Sequence, residues 1–131
     1  MKEIRIAAMV LRNAAGDVLS VRKQGTHAFM LPGGKVETGE DPRHTACREI
    51  QEELGLLIDP DTLEYFGEFT APAANEPGWN VRCDVFILPK PLDILPRARA
   101  EIVESVWCSL TEETRQLAPL SRDIVFPALC N

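Results

Sequence analysis

The sequence predicts an α/β (α+β) fold, a mixed sandwich of strands and helices. Three observations predict it. Short apolar or alternating runs recur on both sides of one well-capped central helix, a second helical pattern closes the chain, and turn residues separate the runs. With no internal repeat or linker visible, residues 1–131 read as one domain, long enough to bury a core.

The elements follow in order. Residues 4–11 (IRIAAMVL) are almost continuously apolar, as in a strand covered on both faces. Asn13 to Asp17 form a turn, with Gly16 free to take a positive φ, and residues 18–21 return as a second strand, so a hairpin is expected. Residues 28–31 lead into Pro32-Gly33-Gly34, where proline stops a ladder and the glycines permit close backbone approach. A helix is expected over Pro42 to Leu54. Asp41 is the N-cap, Pro42 sits where its missing N–H costs nothing, and Gly55 can end the helix in the left-handed region.

Past the helix, residues 56–58 are a short apolar run and Asp59-Pro60-Asp61 a turn. Residues 63–71 alternate as a strand, with Gly67 as a bulge candidate. Residues 72–78 are a loop, and 79–88 alternate as a half-buried strand. Three prolines make 89–99 a loop. Residues 101–110 read as a last strand, Thr111-Glu112-Glu113 as a helix start, and 121–129 as a closing helix capped by Ser121, with Ile124, Val125, Ala128 and Leu129 inward.

Bulk properties narrow the function. Hydrophobic residues are 45% and charged residues 26% of the chain, an ordinary globular composition. The net charge of −6 argues against binding polymeric nucleic acid or anionic membranes through a basic surface. Cys47, Cys83, Cys108 and Cys130 are far apart and lack zinc-ligand spacing, and Cys47 is expected on the buried helix face. No apolar run reaches membrane-spanning length, so a cytoplasmic protein is expected, monomer or homodimer.

The helix carries the chemistry. At 100° per residue, Ala46, Cys47, Ile50 and Leu54 share one face, while Glu49, Glu52 and Glu53 gather on another. No base lies four residues beyond any of these glutamates, so three like charges sit together without the usual relief. A solvated acidic face is the ordinary explanation. A site for a hard cation is the other, since Mg²⁺ and Mn²⁺ favour carboxylate oxygens and share their coordination with substrate phosphates.

Spacing decides between them. Gly34 is followed after five residues by Glu40, and after seven more by Arg48-Glu49-Ile50. One residue later comes Glu52-Glu53, and after one more Gly55-Leu56. This resembles the signature of the Nudix hydrolases, G-x5-E-x7-R-E-U-x-E-E-x-G-U with U aliphatic, at every fixed position. The resemblance implies an α/β/α sandwich with a mixed sheet. It implies hydrolysis of a nucleoside diphosphate linked to another group, with Mg²⁺ or Mn²⁺ as cofactor. It also implies metal ligands at Glu49, Glu52 and Glu53, with Glu49 or Glu52 as general base and Arg48 orienting a neighbouring glutamate. Glu40 is read as structural, fixing the loop through backbone N–H groups. Relatives often add a glutamate from outside the motif. Glu101, Glu104 and Glu76 are the candidates here, and Glu101 the first choice.

Substrate contacts are expected from Gly33, Gly34, Lys35, Arg22, Trp79 and Asn75, with Lys23, Asn80 and Arg82 as further polar candidates. Phe29, Phe69 and Phe86 offer stacking surfaces but read more naturally as core. His27 and His44 read as surface residues. The short chain resembles MutT-like members, which act on nucleoside triphosphates, including oxidised ones, giving a nucleoside monophosphate and pyrophosphate. Nucleotide sugars, ADP-ribose and dinucleoside polyphosphates are the alternative substrates, and a non-catalytic nucleotide-binding regulator is the remaining reading.

Overall fold

The computed structural model describes residues 2–130. Four strands form a mixed sheet in the order β3-β1-β5-β4: β1 (Lys2–Val10), β3 (Gly33–Lys35), β4 (Glu64–Pro72) and β5 (Trp79–Ile87). β1 runs parallel to β5, while β3 and β4 pair antiparallel at the two edges. A second, two-stranded sheet joins β2 (Val18–Lys23) to β6 (Ile102–Cys108).

The expected helix is present as α1 (Pro42–Leu54). Asp41 caps it by accepting the His44 N–H at 3.0 Å, and Gly55 ends it at φ 69°. Its buried face, Ala46, Ile50 and Leu54, packs on Ala7, Met9 and Phe86 of the sheet and on Leu11 just past β1. Truncating Ile50 to alanine would cost about 2–5 kcal/mol, the range for a buried aliphatic side chain. Cys47 is half-buried on the margin of this face. The opposite face of the sheet is covered by the closing helical segment through Leu120, Val125 and Phe126 against Ala8, Val10, Cys83 and Val85. The layers are therefore helix, mixed sheet, helix, as the Nudix resemblance implies.

Several local readings need correction. The first two strands do not form an extended hairpin. They touch at the turn, where Leu19 N–H reaches the Leu11 carbonyl at 2.8 Å, and β2 then departs to pair with β6. Both edges of β1 are already taken by β3 and β5, so no ladder is left for β2. Pro32 does not end the pairing there: Gly33 and Gly34 open a strand, because β1 presents Ala8 and Ala7 opposite them.

No helix starts at Thr111. The Glu112 carboxylate takes the N–H groups of Thr114 and Arg115, and the chain then pairs in extended form with Phe29 on both sides of Leu117. The closing segment begins as a π-turn (Leu120–Val125) and continues as α2 (Phe126–Leu129). Ser121 is thus inside the helical segment, not at its cap. Of its expected inward residues, Val125 is fully buried, while Ile124 and Leu129 pack at the core's edge. Gly67 does mark a register shift in β4, as expected of a bulge. Among the described residues, no helix is long and apolar enough to cross a membrane.

Candidate metal and nucleotide site

The site forms where α1 lies across β3. Small residues make this approach possible. A Cβ on Gly33 would fall 2.7 Å from the Ala8 Cα and closer still to the Ala7 carbonyl oxygen. A Cβ on Gly34 would strike the Glu49 carboxylate. The first glycine lets β3 pair with β1, and the second leaves room for a carboxylate above it.

Glu53 is the most buried of the acidic residues, at 1% exposure. Its Oε1 accepts the Gly33 N–H at 3.2 Å. Its Oε2 is buried without a hydrogen-bond partner among the described residues. An orphaned carboxylate oxygen is costly unless something charged satisfies it. Burial first, and the neighbouring Glu49 second, push the Glu53 carboxyl up to about 8. Burial raises Glu49 as well, against the opposing effect of Arg48.

Glu49, Glu53 and Glu101 each bring one carboxylate oxygen within 4.8 Å of the others. Glu101 arrives from the residue before β6. Three convergent carboxylates and an unsatisfied buried oxygen form an all-oxygen donor set, which suits a hard divalent cation.

Arg48 holds the outer side. Its Nε and Nη2 donate to the two Glu40 oxygens at 2.7 and 2.9 Å, and its Nη1 donates to Glu49 Oε2 at 2.7 Å. Weaker contacts reach Glu52 at 3.4 Å and Glu37 at 3.3 Å. The paired bonds need a planar, forked donor, which a lysine does not have. They hold the Glu40 carboxyl down at about 2, with Thr45 Oγ1 donating to the same group. Glu40 also accepts the Glu37 N–H at 3.2 Å, tying down the loop ahead of α1.

Other residues singled out from sequence fall in different places. Glu52 points outward, 54% exposed, outside the carboxylate cluster. Gly33, Gly34, Lys35 and Asn75 line a pocket of about 130 Å³ beside the cluster, together with Lys23 and Glu76. Its apolar wall is Ile4, Ile6, Ala8 and Val81, the alternate positions of β1 and one of β5. Arg22 is spent on Glu104 at 3.0 Å, across β2 and β6. Trp79 opens β5 under the Lys2 ammonium, 5.3 Å from its ring centre. Phe29 and Phe86 are core residues, and Phe69 packs on Phe66. His27 is exposed, and His44 pairs with Asp41 at 2.6 Å.

Sequence reasoning missed Met30 and Leu31, which line the same pocket. Their apolar run gave a weak signal of an inward-facing segment.

Comparison with known proteins bears on the family and the fold. The NUDIX domain family model matches residues 2–129. The chain is 35% identical over 60 residues to an 8-oxo-dGTP diphosphatase of Escherichia coli, covering 43% of this chain and 46% of that protein. It is 40% identical over 55 residues to an RNA pyrophosphohydrolase of Tolumonas auensis, covering 42% of this chain and 32% of the relative. The matches thus span about half or less of these curated relatives' length. The fold is similar to a MutT protein from Methanosarcina mazei, with a TM-score of 0.78 at 22% identity over 98% of this chain and 94% of the other. The match to the family model extends over nearly the whole chain, and on that basis the chain belongs to the NUDIX domain family.

Proposed function

We propose that this protein hydrolyses a pyrophosphate bond in a nucleoside diphosphate linked to another group. The substrate class we favour is a nucleoside triphosphate, oxidised forms included, yielding a nucleoside monophosphate and pyrophosphate. The observation that carries the reading is the convergence of Glu49, Glu53 and Glu101, of which Glu53 has a buried oxygen without a partner among the described residues. The relatives named 8-oxo-dGTP diphosphatase and RNA pyrophosphohydrolase support the same chemistry.

Glu49, Glu53 and Glu101 would hold Mg²⁺ or Mn²⁺, with Glu52 at the outer edge. When bound, such a cation neutralises phosphate charge and lowers the pKa of water. The chain's own residues supply the rest. Glu49 is the favoured general base. Arg48 occupies its Oε2, and Oε1 faces Gly34 at the cluster. Burial raises its proton affinity, which suits proton transfer near neutrality. The water proton passes to Glu49, a new P–O bond forms, and the bridging P–O bond breaks with its electron pair leaving on the departing phosphate. Lys23 and Lys35, which line the pocket, would meet substrate phosphates, and the apolar wall would meet the nucleoside. The four free thiols suit a reducing, cytoplasmic setting.

The test is a screen with Mg²⁺ and with Mn²⁺ in which nucleoside monophosphate, pyrophosphate and sugar phosphate products are separated by ion-exchange chromatography. It spans ordinary and oxidised nucleoside triphosphates, nucleotide sugars, ADP-ribose and dinucleoside polyphosphates, with Glu53→Gln alongside. Metal-dependent turnover of triphosphates, lost in Glu53→Gln, is the expected result. Turnover confined to nucleotide sugars or dinucleoside polyphosphates would move the substrate assignment. Full activity in Glu53→Gln would overturn the carboxylate assignment.

A further inference from the structure

Glu101 is delivered by a tight turn with unusual backbone. Residues 99–102 close on themselves through the Ile102 N–H, which donates to the Arg99 carbonyl at 3.0 Å. Ala100, at the first central position, has φ 55° and is the one non-glycine with positive φ among the described residues. A positive φ at this position alone belongs to a mirror-image turn that glycine usually occupies. A Cβ there is strained, and strain of this kind persists only where the surroundings impose it.

The surroundings here are the site itself. The Arg99 N–H donates to the Glu53 carbonyl at 2.8 Å, on the last turn of α1. The Arg99 side chain lies over Gly55, where an added Cβ would come 3.2 Å from the Arg99 Cδ and nearer to Nη1. At the other end, the Glu101 carbonyl accepts the Gln24 N–H at 2.9 Å, just past β2. The turn is therefore strung between α1 and β2, with the Glu101 carboxylate beside those of Glu49 and Glu53.

We propose that the 99–102 turn is a positioning device, in which Arg99, latched to Glu53 and Gly55, and the left-handed Ala100 aim the Glu101 carboxylate at Glu49 and Glu53. The inference rests on the carboxylate reading above. Arg99 and Ala100 act only through Glu101. Gly55 serves twice, ending the helix and leaving space for the latch.

The test is calorimetric titration of Mn²⁺ into the whole chain, with its fold checked by circular dichroism. The proteins are the parent, Ala100→Val, Ala100→Gly, Glu101→Gln and the double variant Ala100→Val/Glu101→Gln. Valine resists a positive φ, so Ala100→Val should weaken Mn²⁺ binding about tenfold, as loss of ligand support typically does. Glycine accepts that backbone, so Ala100→Gly should stay within about twofold of the parent. With Glu101→Gln already in place, Ala100→Val should add no further loss. Should Ala100→Val not fold, Ala100→Leu takes its place with the same readings. Equal losses with and without Glu101, or no loss while Glu101→Gln itself weakens binding, would overturn the turn's role. Unchanged Mn²⁺ binding in Glu101→Gln would instead overturn the underlying carboxylate reading.

Discussion

Glu53 Oε1 accepts the Gly33 N–H at 3.2 Å, while its Oε2 has no partner among the described residues. One oxygen is fixed by the strand and the other is left for something outside the chain. The proton is the simplest occupant. The carboxyl sits at about 8 against an ordinary 4.5, so the folded chain holds this proton more tightly than the unfolded one. The stability it carries is full below the unfolded value and is lost as pH rises through the folded one. In chelator-treated protein, Glu53→Gln should therefore match the parent near pH 4.5 and exceed it by on the order of a few kcal/mol above pH 8. Urea unfolding across that range measures it. A parent more stable than the variant at alkaline pH would refute the assignment.

Arg48 binds Glu40 through two bonds and Glu49 through one. Lysine keeps the charge and loses the fork. Arg48→Lys should cost about 1.5–3 kcal/mol of stability, the range for hydrogen bonds to charged groups. It should also lower kcat more than it raises KM, since Glu49 loses its orientation while the pocket is untouched. A variant with parental kcat would show that Arg48 only stabilises the loop.

Gly33 and Gly34 should respond differently to alanine. At Gly33 the new Cβ meets backbone, which cannot move aside without unpairing β3 from β1, so a loss of about 2–4 kcal/mol is expected. At Gly34 it meets the end of the Glu49 side chain, which can swing away. Gly34→Ala should thus unfold close to the parent but bind Mn²⁺ more weakly. Thermal unfolding and calorimetry together separate the two. Equal destabilisation at both positions would contradict this account.

Ser121 offers a test of sign. As an N-cap, its loss would cost about 1 kcal/mol. In the structure it lies inside the π-turn, with Oγ buried and unpartnered among the described residues. Ser121→Ala should then be neutral or stabilising by about 1 kcal/mol. A loss of stability on chemical denaturation would favour the capping role.

The sequence by itself determined the mixed α/β class, both ends of α1, the bulge at Gly67 and the spacing that gathers acidic residues on one helix. These are local or periodic properties. Asp41, Pro42 and Gly55 act on the backbone next to them, and apolar periodicity states which face must be buried. Only the tertiary structure decided which carboxylates meet. Glu52 and Glu53 are adjacent in sequence, yet one is exposed and the other is sealed against β3. That difference comes from the close approach of α1 to a strand of glycines paired with Ala7 and Ala8. The strand partners were hidden for the same reason. β2 shares a turn with β1 but pairs with β6, because the edges of β1 are filled by chain segments distant in sequence. The placing of Glu101 was equally nonlocal. It depends on Arg99 reaching Glu53 and Gly55, nearly fifty residues away, and on a backbone at Ala100 that no residue pattern announces.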